Sequence, residues 1–296
     1  MLDNNNKNTG QTIGVVHGGL SQERQKSLEY GKQVSKILEN LGMNVLEMHL
    51  HPNGSWTIDG KVENVEESIK KVDKVWNCLV GVDGERGIVE NLCEKCKVNV
   101  IGHTEMHSHL SANKKNLHLA LAQHHIKFPH GKVIFKKDYS KEKLLEIFST
   151  VPVPAIVKPN TGSSMWGVLV VNNFTELEHA VEYLISQNED VLVEKLIKGI
   201  PVACFVFEHN NLWHTHIKVD GENNFSREEL MNIRNEALYV HNVLAYKHHA
   251  EYDFIVTSKG LVFIETNTHP ALTSGYISQV FKKGIISLKD YVASKV

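Results

Sequence analysis

Val262-Phe-Ile-Glu265-Thr-Asn267-Thr-His-Pro270 is an apolar run that ends in a carboxylate and an amide two residues apart, closed by a proline. Val, Phe and Ile in succession favour an extended strand. The period-two alternation of a strand then turns Glu265 and Asn267 to the same face. Tyr252 to Val256 and Leu261 to Glu265, on either side of Thr257-Ser-Lys-Gly260, predict a hairpin that sets Asp253 on the adjoining strand. Two carboxylates and an amide form a hard, oxygen-only donor set of the kind Mg²⁺ takes. Taken alone, the same pattern also describes a solvated strand end.

Upstream of this hairpin the periodicity is mixed. Strands are predicted at Lys132 to Phe135, Ala155 to Lys158, Val168 to Val171, Val191 to Leu196, Val202 to Glu208 and Leu212 to Lys218. Helices are predicted at Glu105 to Ser111, Asn113 to His125, Phe174 to Ser186 behind an Asn173 cap, and after the capping box Ser226-x-x-Glu229. These are α+β halves. The N-terminal third differs, alternating strand and helix: Thr12 to Val16, Gln22 to Asn40, Met43 to Leu50, a helix from Val65, Val75 to Val80, Arg86 to Cys96 and Val98 to Ile101. Such alternation predicts a mainly parallel sheet, with Asn53-Gly54 turning a hairpin between Met43 to Leu50 and Ser55 to Ile58. The expected division is a flexible leader at 1–11, an α/β domain at 12–103, a central α+β domain at 104–194 and a C-terminal α+β domain at 195–296.

Composition narrows the function classes. The 296 residues are 42% hydrophobic and 22% charged, as in a globular protein of two or three domains. A formal net charge of -2 gives no overall pull toward nucleic acid or an anionic membrane. No window approaches the ~20 apolar residues of a membrane span. The polar start, Met1 to Gln11, is unlike a signal peptide, and four cysteines suit a reducing compartment, so a cytoplasmic location is expected.

A second local signal is Pro154-Ala-Ile-Val-Lys158-Pro-Asn-Thr-Gly162-Ser-Ser-Met-Trp-Gly167, a strand that delivers a lysine and then a small-residue loop. Small residues let backbone N–H groups approach a phosphate while the lysine supplies a point charge. A plain hairpin would look similar, and no Walker pattern is present. In the third, Gly18-Gly19-Leu-Ser21-Gln-Glu23, N–H groups at a helix start could receive an anion and Glu23 could hold an ammonium. The glycines of a dinucleotide fingerprint are missing. Cys93-Glu-Lys-Cys96 falls in a helix without a second cysteine pair and reads as structural or surface cysteine. The histidines at 103, 107 and 109, 124 and 125, and 248 and 249 read as incidental surface clusters.

Six ordered segments together resemble the D-alanine–D-alanine ligase family of the ATP-grasp superfamily, over nearly the whole chain from Thr12 to Val292. They are Gly18-Gly19-x-Ser21-x-Glu23-Arg24 with Ser27; Gly84-Glu85-x-Gly87; Ile101-Gly102 leading to Ser111-x-Asn113-Lys114; Ile156-Val-Lys158-Pro with Gly162-Ser163-Ser164; Val191-Leu-Val-Glu194-Lys195 with Gly199; and Tyr252-Asp253-Phe with Glu265-x-Asn267-Thr-x-Pro270. The resemblance implies an ATP-grasp fold, α/β and α+β, behind a Rossmann-like N-terminal domain. It implies ATP with Lys114 and Lys158 on the phosphates, Ser163 and Ser164 in the loop above them, and Glu194, Lys195, Leu196 and Ile197 around the adenine. Two Mg²⁺ ions, or Mn²⁺, would be held by Asp253, Glu265 and Asn267. Glu23 and Ser163 would act as catalytic residues, and Glu23, Glu85, Ala271 and Tyr276 would contact amino-acid substrates. The implied chemistry is phosphorylation of one carboxylate by ATP and attack of a second amine on the acylphosphate, in peptidoglycan assembly. The family also suggests a homodimer through the N-terminal domain.

Departures from the family pattern gather on the amino-acid side. The usual His is Val80, the Arg two residues before the metal Asp is Glu251, and the Gly and Ser that grip the second substrate's carboxylate are Ala271 and Tyr276. The segment between His214 and Asn223 is short and lacks the family's Tyr, and Pro201 stands where a ribose-binding carboxylate is expected. Two rival expectations therefore stand beside D-alanyl-D-alanine synthesis: a ligase for other amines, or an inactive ATP-binding homologue.

Overall fold

In a computed structural model, residues 10–162, 166–219, 225–284 and 286–296 are described. Their strands form one six-stranded and two four-stranded sheets. In the first sheet, Asn44–Leu50, Thr12–Gly18, Lys74–Asn77 and Asn99–Ile101 run parallel, and Trp56–Ile58 and Lys61–Val62 extend the edge antiparallel. The β-α alternation is thus realised as a mostly parallel sheet, with the turn at 51–54 reversing the chain as the Asn-Gly pair predicts. The strand expected to reach Val80 stops at Asn77. The Asn77 side chain there takes the Leu79 N–H at 3.0 Å and donates to Glu90 at 2.8 Å, which pulls the chain out of the ladder.

The second sheet is antiparallel, in the order Gly131–Ile134, Val191–Lys195, Ala155–Pro159, Leu169–Val171. Helices Lys141–Thr150 and Phe174–Ser186 cover one face of it and fill a core around Leu144, Ile147, Leu177 and Leu184. Asn173 caps the second helix by accepting the Glu176 N–H at 2.9 Å, as its sequence predicts. The first helix was not anticipated, although Ser140 at its start accepts the Lys143 N–H. The helix expected at Asn113 to His125 ends at Leu121, continues as a short 3₁₀ turn and stops where His125 takes a left-handed φ of 59°.

The third sheet runs Leu212–Val219, Ile200–His209, His249–Thr257, Gly260–Asn267, all antiparallel. One face of its central strand, with Val202, Cys204 and Val206, packs under helix Arg227–Val243. The other face carries Phe207, Phe205 and Ala203 in turn. The two phenylalanines join a core with Trp76 of the first sheet and Phe281 and Tyr291 of the closing helices Gly275–Lys283 and Leu288–Ala293. Those helices were not anticipated either, and they bind the end of the chain to its beginning. Ala203, past the edge of this core, lines an open cavity.

No helix of the described residues is long and apolar enough to cross a membrane. All four cysteines are free. Cys93 is buried, its thiol pushed up to about 12 by burial and by the Glu90 carboxylate, in keeping with a structural residue. The surface expectation for the histidines needs correction. His103, His107 and His249 are buried, His103 Nε2 donates to the His249 carbonyl at 2.7 Å, and His249 Nδ1 lies 2.8 Å from the Tyr291 hydroxyl. Partners distant in sequence bury them, and among the described residues no group of three or more His, Cys, Asp or Glu is placed to hold a metal.

Candidate active site

A cavity of about 1210 Å³ lies between the second and third sheets and is bordered by the glycine turn of the first. At that turn Asp83 accepts the Leu20 and Ser21 N–H groups at 2.9 and 2.8 Å. Gly19 has a φ of +117°, and a Cβ there would run into the Asp83 carboxylate, so the close approach requires glycine. Glu23, just beyond, is bound by Lys26 at 3.2 Å and faces the cavity. Glu85 is buried and also lines it.

Lys158 and Glu194 meet on the second sheet. Register pairs Lys158 with Leu192 and Glu194 with Ile156, so the two side chains stand diagonally on one face. Lys158 Nζ lies 2.7 Å from Glu194 Oε2, with the side chains 8% and 3% exposed. Gly131, opposite Glu194 on the other flank, leaves room for that carboxylate, since a Cβ would fall 2.6 Å from Glu194 Cγ. The remaining Glu194 oxygen is buried without a hydrogen bond, and His118 Nδ1 is 3.8 Å away. His118 stacks on Phe128 at 4.5 Å, and burial holds its imidazole below the ordinary range. Nothing singled His118 out in the sequence except that it stands one helical turn, i+4, from Lys114.

Lys114 opens helix Lys114–Leu121, whose cap is Asn113. Its backbone N–H donates to the Asn160 carbonyl at 2.9 Å, and its buried ammonium donates to the Gly162 carbonyl and lies 3.5 Å from Glu265 Oε2. One lysine thereby joins the loop after Lys158 to the carboxylate strand. Ser163 and Ser164 lie outside the described residues. Lys195, Leu196, Ile197 and Pro201 line the same cavity beside Glu194. The Lys195 and Leu196 N–H groups are held by the His130 and Pro154 carbonyls at 2.8 and 3.0 Å, which fixes this segment as a wall.

Asp253 and Glu265 are cross-strand partners in the third sheet, and Glu251 and Asn267 form the next pair on the same face. A bulge after Asp253 bends the strand there. Asn267 Oδ1 accepts the His269 N–H at 2.9 Å and retains one lone pair for a ligand. Glu265 is 31% exposed toward the cavity. Two carboxylates and one amide oxygen on adjacent strands fit a hard divalent cation whose shell is completed by phosphate oxygens and water. Burial raises the Glu251 carboxyl above the usual range, where it lies against the Tyr276 hydroxyl.

Beyond these strands a smaller cavity of about 260 Å³ shares Glu23, Glu251, Asp253 and Glu265 with the first and is closed by Ala271 and Tyr276. The geometry therefore brings Glu23, Glu85, Lys114, Lys158, Glu194 to Ile197, Asp253 and Glu265 around one space, and Asn267, Ala271 and Tyr276 around its extension.

Known proteins resemble the chain over most of its length. The model described as D-ala D-ala ligase C-terminus matches residues 121–225. A curated D-alanine--D-alanine ligase of Anaplasma marginale is 28% identical over 294 residues, covering 90% of this chain and 82% of that protein. Among solved structures, the VanG D-Ala:D-Ser ligase from Enterococcus faecalis superposes with a TM-score of 0.82 at 22% identity, covering 97% of this chain and 98% of its own. The D-alanine--D-alanine ligase from Bacillus anthracis complexed with ATP gives a TM-score of 0.77 at 22% identity, with 96% of each chain covered. These likenesses show the ATP-grasp fold, and over nearly its whole length the chain is similar to D-alanine–D-alanine ligases.

Proposed function

We propose that the chain is an ATP- and Mg²⁺-dependent carboxylate–amine ligase that forms a peptide bond through an acylphosphate, with D-alanine as the nearest donor substrate. The observation that carries this is the convergence of two buried lysines, Lys114 and Lys158, with the carboxylate pair Asp253 and Glu265 on one cavity large enough for a nucleotide. In the apo arrangement Lys158 is neutralised by Glu194 and Lys114 by Glu265. An incoming triphosphate would compete for both ammonium groups, while Glu194 to Ile197 would hold the adenine. Asp253, Glu265 and Asn267 would hold Mg²⁺, which when bound offsets charge on the transferring phosphoryl group. Lys114, tied to the Gly162 carbonyl, would pull the loop after Lys158 down and exclude water from the acylphosphate. Glu23 would hold the donor ammonium, with Ser163 as its catalytic companion.

The same proposal takes 12–103, 104–194 and 195–296 as the three working parts, places the reaction in cytoplasmic peptidoglycan synthesis, and includes a homodimer through the N-terminal part. The test is phosphate release from Mg-ATP, amino acid by amino acid beginning with D-alanine, with products identified by mass spectrometry. Release that depends on an amino acid, with a dipeptide or amide product, is expected. Tight ATP binding with no release for any donor would favour the inactive homologue instead.

A further inference from the structure

The smaller cavity differs in charge from the larger. Glu23, Glu251, Asp253 and Glu265 face it, and Lys26, the one Lys or Arg of its described lining, is already paired with Glu23 at 3.2 Å. Lys218 stands over the Tyr276 ring, 5.9 Å from its centroid, and lines the larger cavity. Asp253 and Glu265 are committed to Mg²⁺ on the proposed function. Glu251 is not one of those ligands; it lies against the hydroxyl of Tyr276, in helix Gly275–Lys283, beside Asn267, with the Lys218 ammonium acting on it from the larger cavity. An acceptor's α-carboxylate would meet Glu251 at short range in a partly buried space, where like charges repel far more strongly than in water.

We infer that the acceptor is a primary amine whose α-carbon bears no free carboxylate, such as an amino-acid amide or a peptide N-terminus, held as its ammonium by Glu251. This rests on the ligase function proposed above. Solvent takes one proton, and the nitrogen lone pair then forms the C–N bond to the acyl carbon. The carbon–oxygen bond to phosphate breaks, phosphate leaves with the bonding pair, and the nitrogen loses its second proton.

The experiment supplies D-alanine as donor with Mg-ATP and compares three nucleophiles: hydroxylamine, D-alaninamide and further D-alanine. Hydroxamate formation reads donor activation independently of the acceptor pocket. D-alaninamide is expected to exceed D-alanine as acceptor by about tenfold or more in kcat/KM. Glu251→Gln should shrink that ratio, and Glu251→Arg should invert it if the variant folds. Hydroxamate formation with D-alanine equal to or better than its amide overturns the inference and leaves the ligase function standing. No hydroxamate and no donor-dependent ADP release overturns the ligase function. In that case equilibrium binding of D-alaninamide and D-alanine to the Mg-ATP complex decides the inference, and equal affinities contradict it.

Discussion

The nucleotide side and the acceptor side of the site solve the problem of burying charge differently. On the nucleotide side, Lys158 and Glu194 are nearly sealed and satisfy each other at 2.7 Å. On the acceptor side, the half-buried Glu251 sits beside further carboxylates, and burial raises its pKa. A buried ion pair holds a binding geometry ready for a polyanion that will replace one partner. Glu251, with Glu265 and the Lys218 ammonium both acting on it, is a carboxylate without so close an ion pair. On the proposed function, the first arrangement suits a nucleotide and the second an amine.

Removing one partner of the nucleotide-side pair should give the largest effect. Lys158→Ala leaves Glu194 charged and buried, and the expected cost is about 3–5 kcal/mol of folding stability in denaturant titration, with loss of ATP binding. An unchanged midpoint and affinity would break the contrast between the two sides. Glu265→Gln should be milder for folding, because the side chain is partly exposed, but should lower turnover by about 10²-fold. Turnover within twofold of the native chain would remove Glu265 from the metal site.

Acid should strike the junction between the first and third sheets. Burial holds His241 and His248 at about 4, against 6.5 for a free imidazole, and His103 and His249 are held well below that value. A histidine with a depressed folded pKa costs nothing above about 6.5, where folded and unfolded forms are both neutral. Below that the unfolded chain takes up protons first. Stability should therefore fall as pH drops from about 6.5 toward about 4, which Trp76 fluorescence at this junction can follow. Flat stability across that window would show that these histidines are not buried neutral. The smallest expected effect is Asn173→Ala, which removes the cap of helix Phe174–Ser186 and should cost about 1 kcal/mol in thermal unfolding, while acceptor preference stays as it was.

Features that depend on neighbours in sequence were legible. Glu265 and Asn267 share a face because strands alternate, and Ser226 with Glu229 forms its capping box because both halves lie within one turn. Features created by register or distant packing were not. The diagonal of Lys158 and Glu194 arises from antiparallel pairing of strands more than thirty residues apart, and His118 gains meaning only where Glu194 approaches it. His103 and His107 read as surface because isolated polar residues usually are, whereas Tyr246 and His249 bury them here. Helix Gly275–Lys283 carries β-branched and aromatic residues with weak helix propensity, and packing against Phe205 decides its state.

The most direct test of the central claim is positional isotope exchange in ATP labelled with ¹⁸O at the β–γ bridge, measured with D-alanine and Mg²⁺. Reversible phosphorylation of the donor carboxylate predicts migration of the label into the non-bridging β positions only when the donor is present. ATP that binds but keeps its label with D-alanine and with every other amino acid would contradict the account.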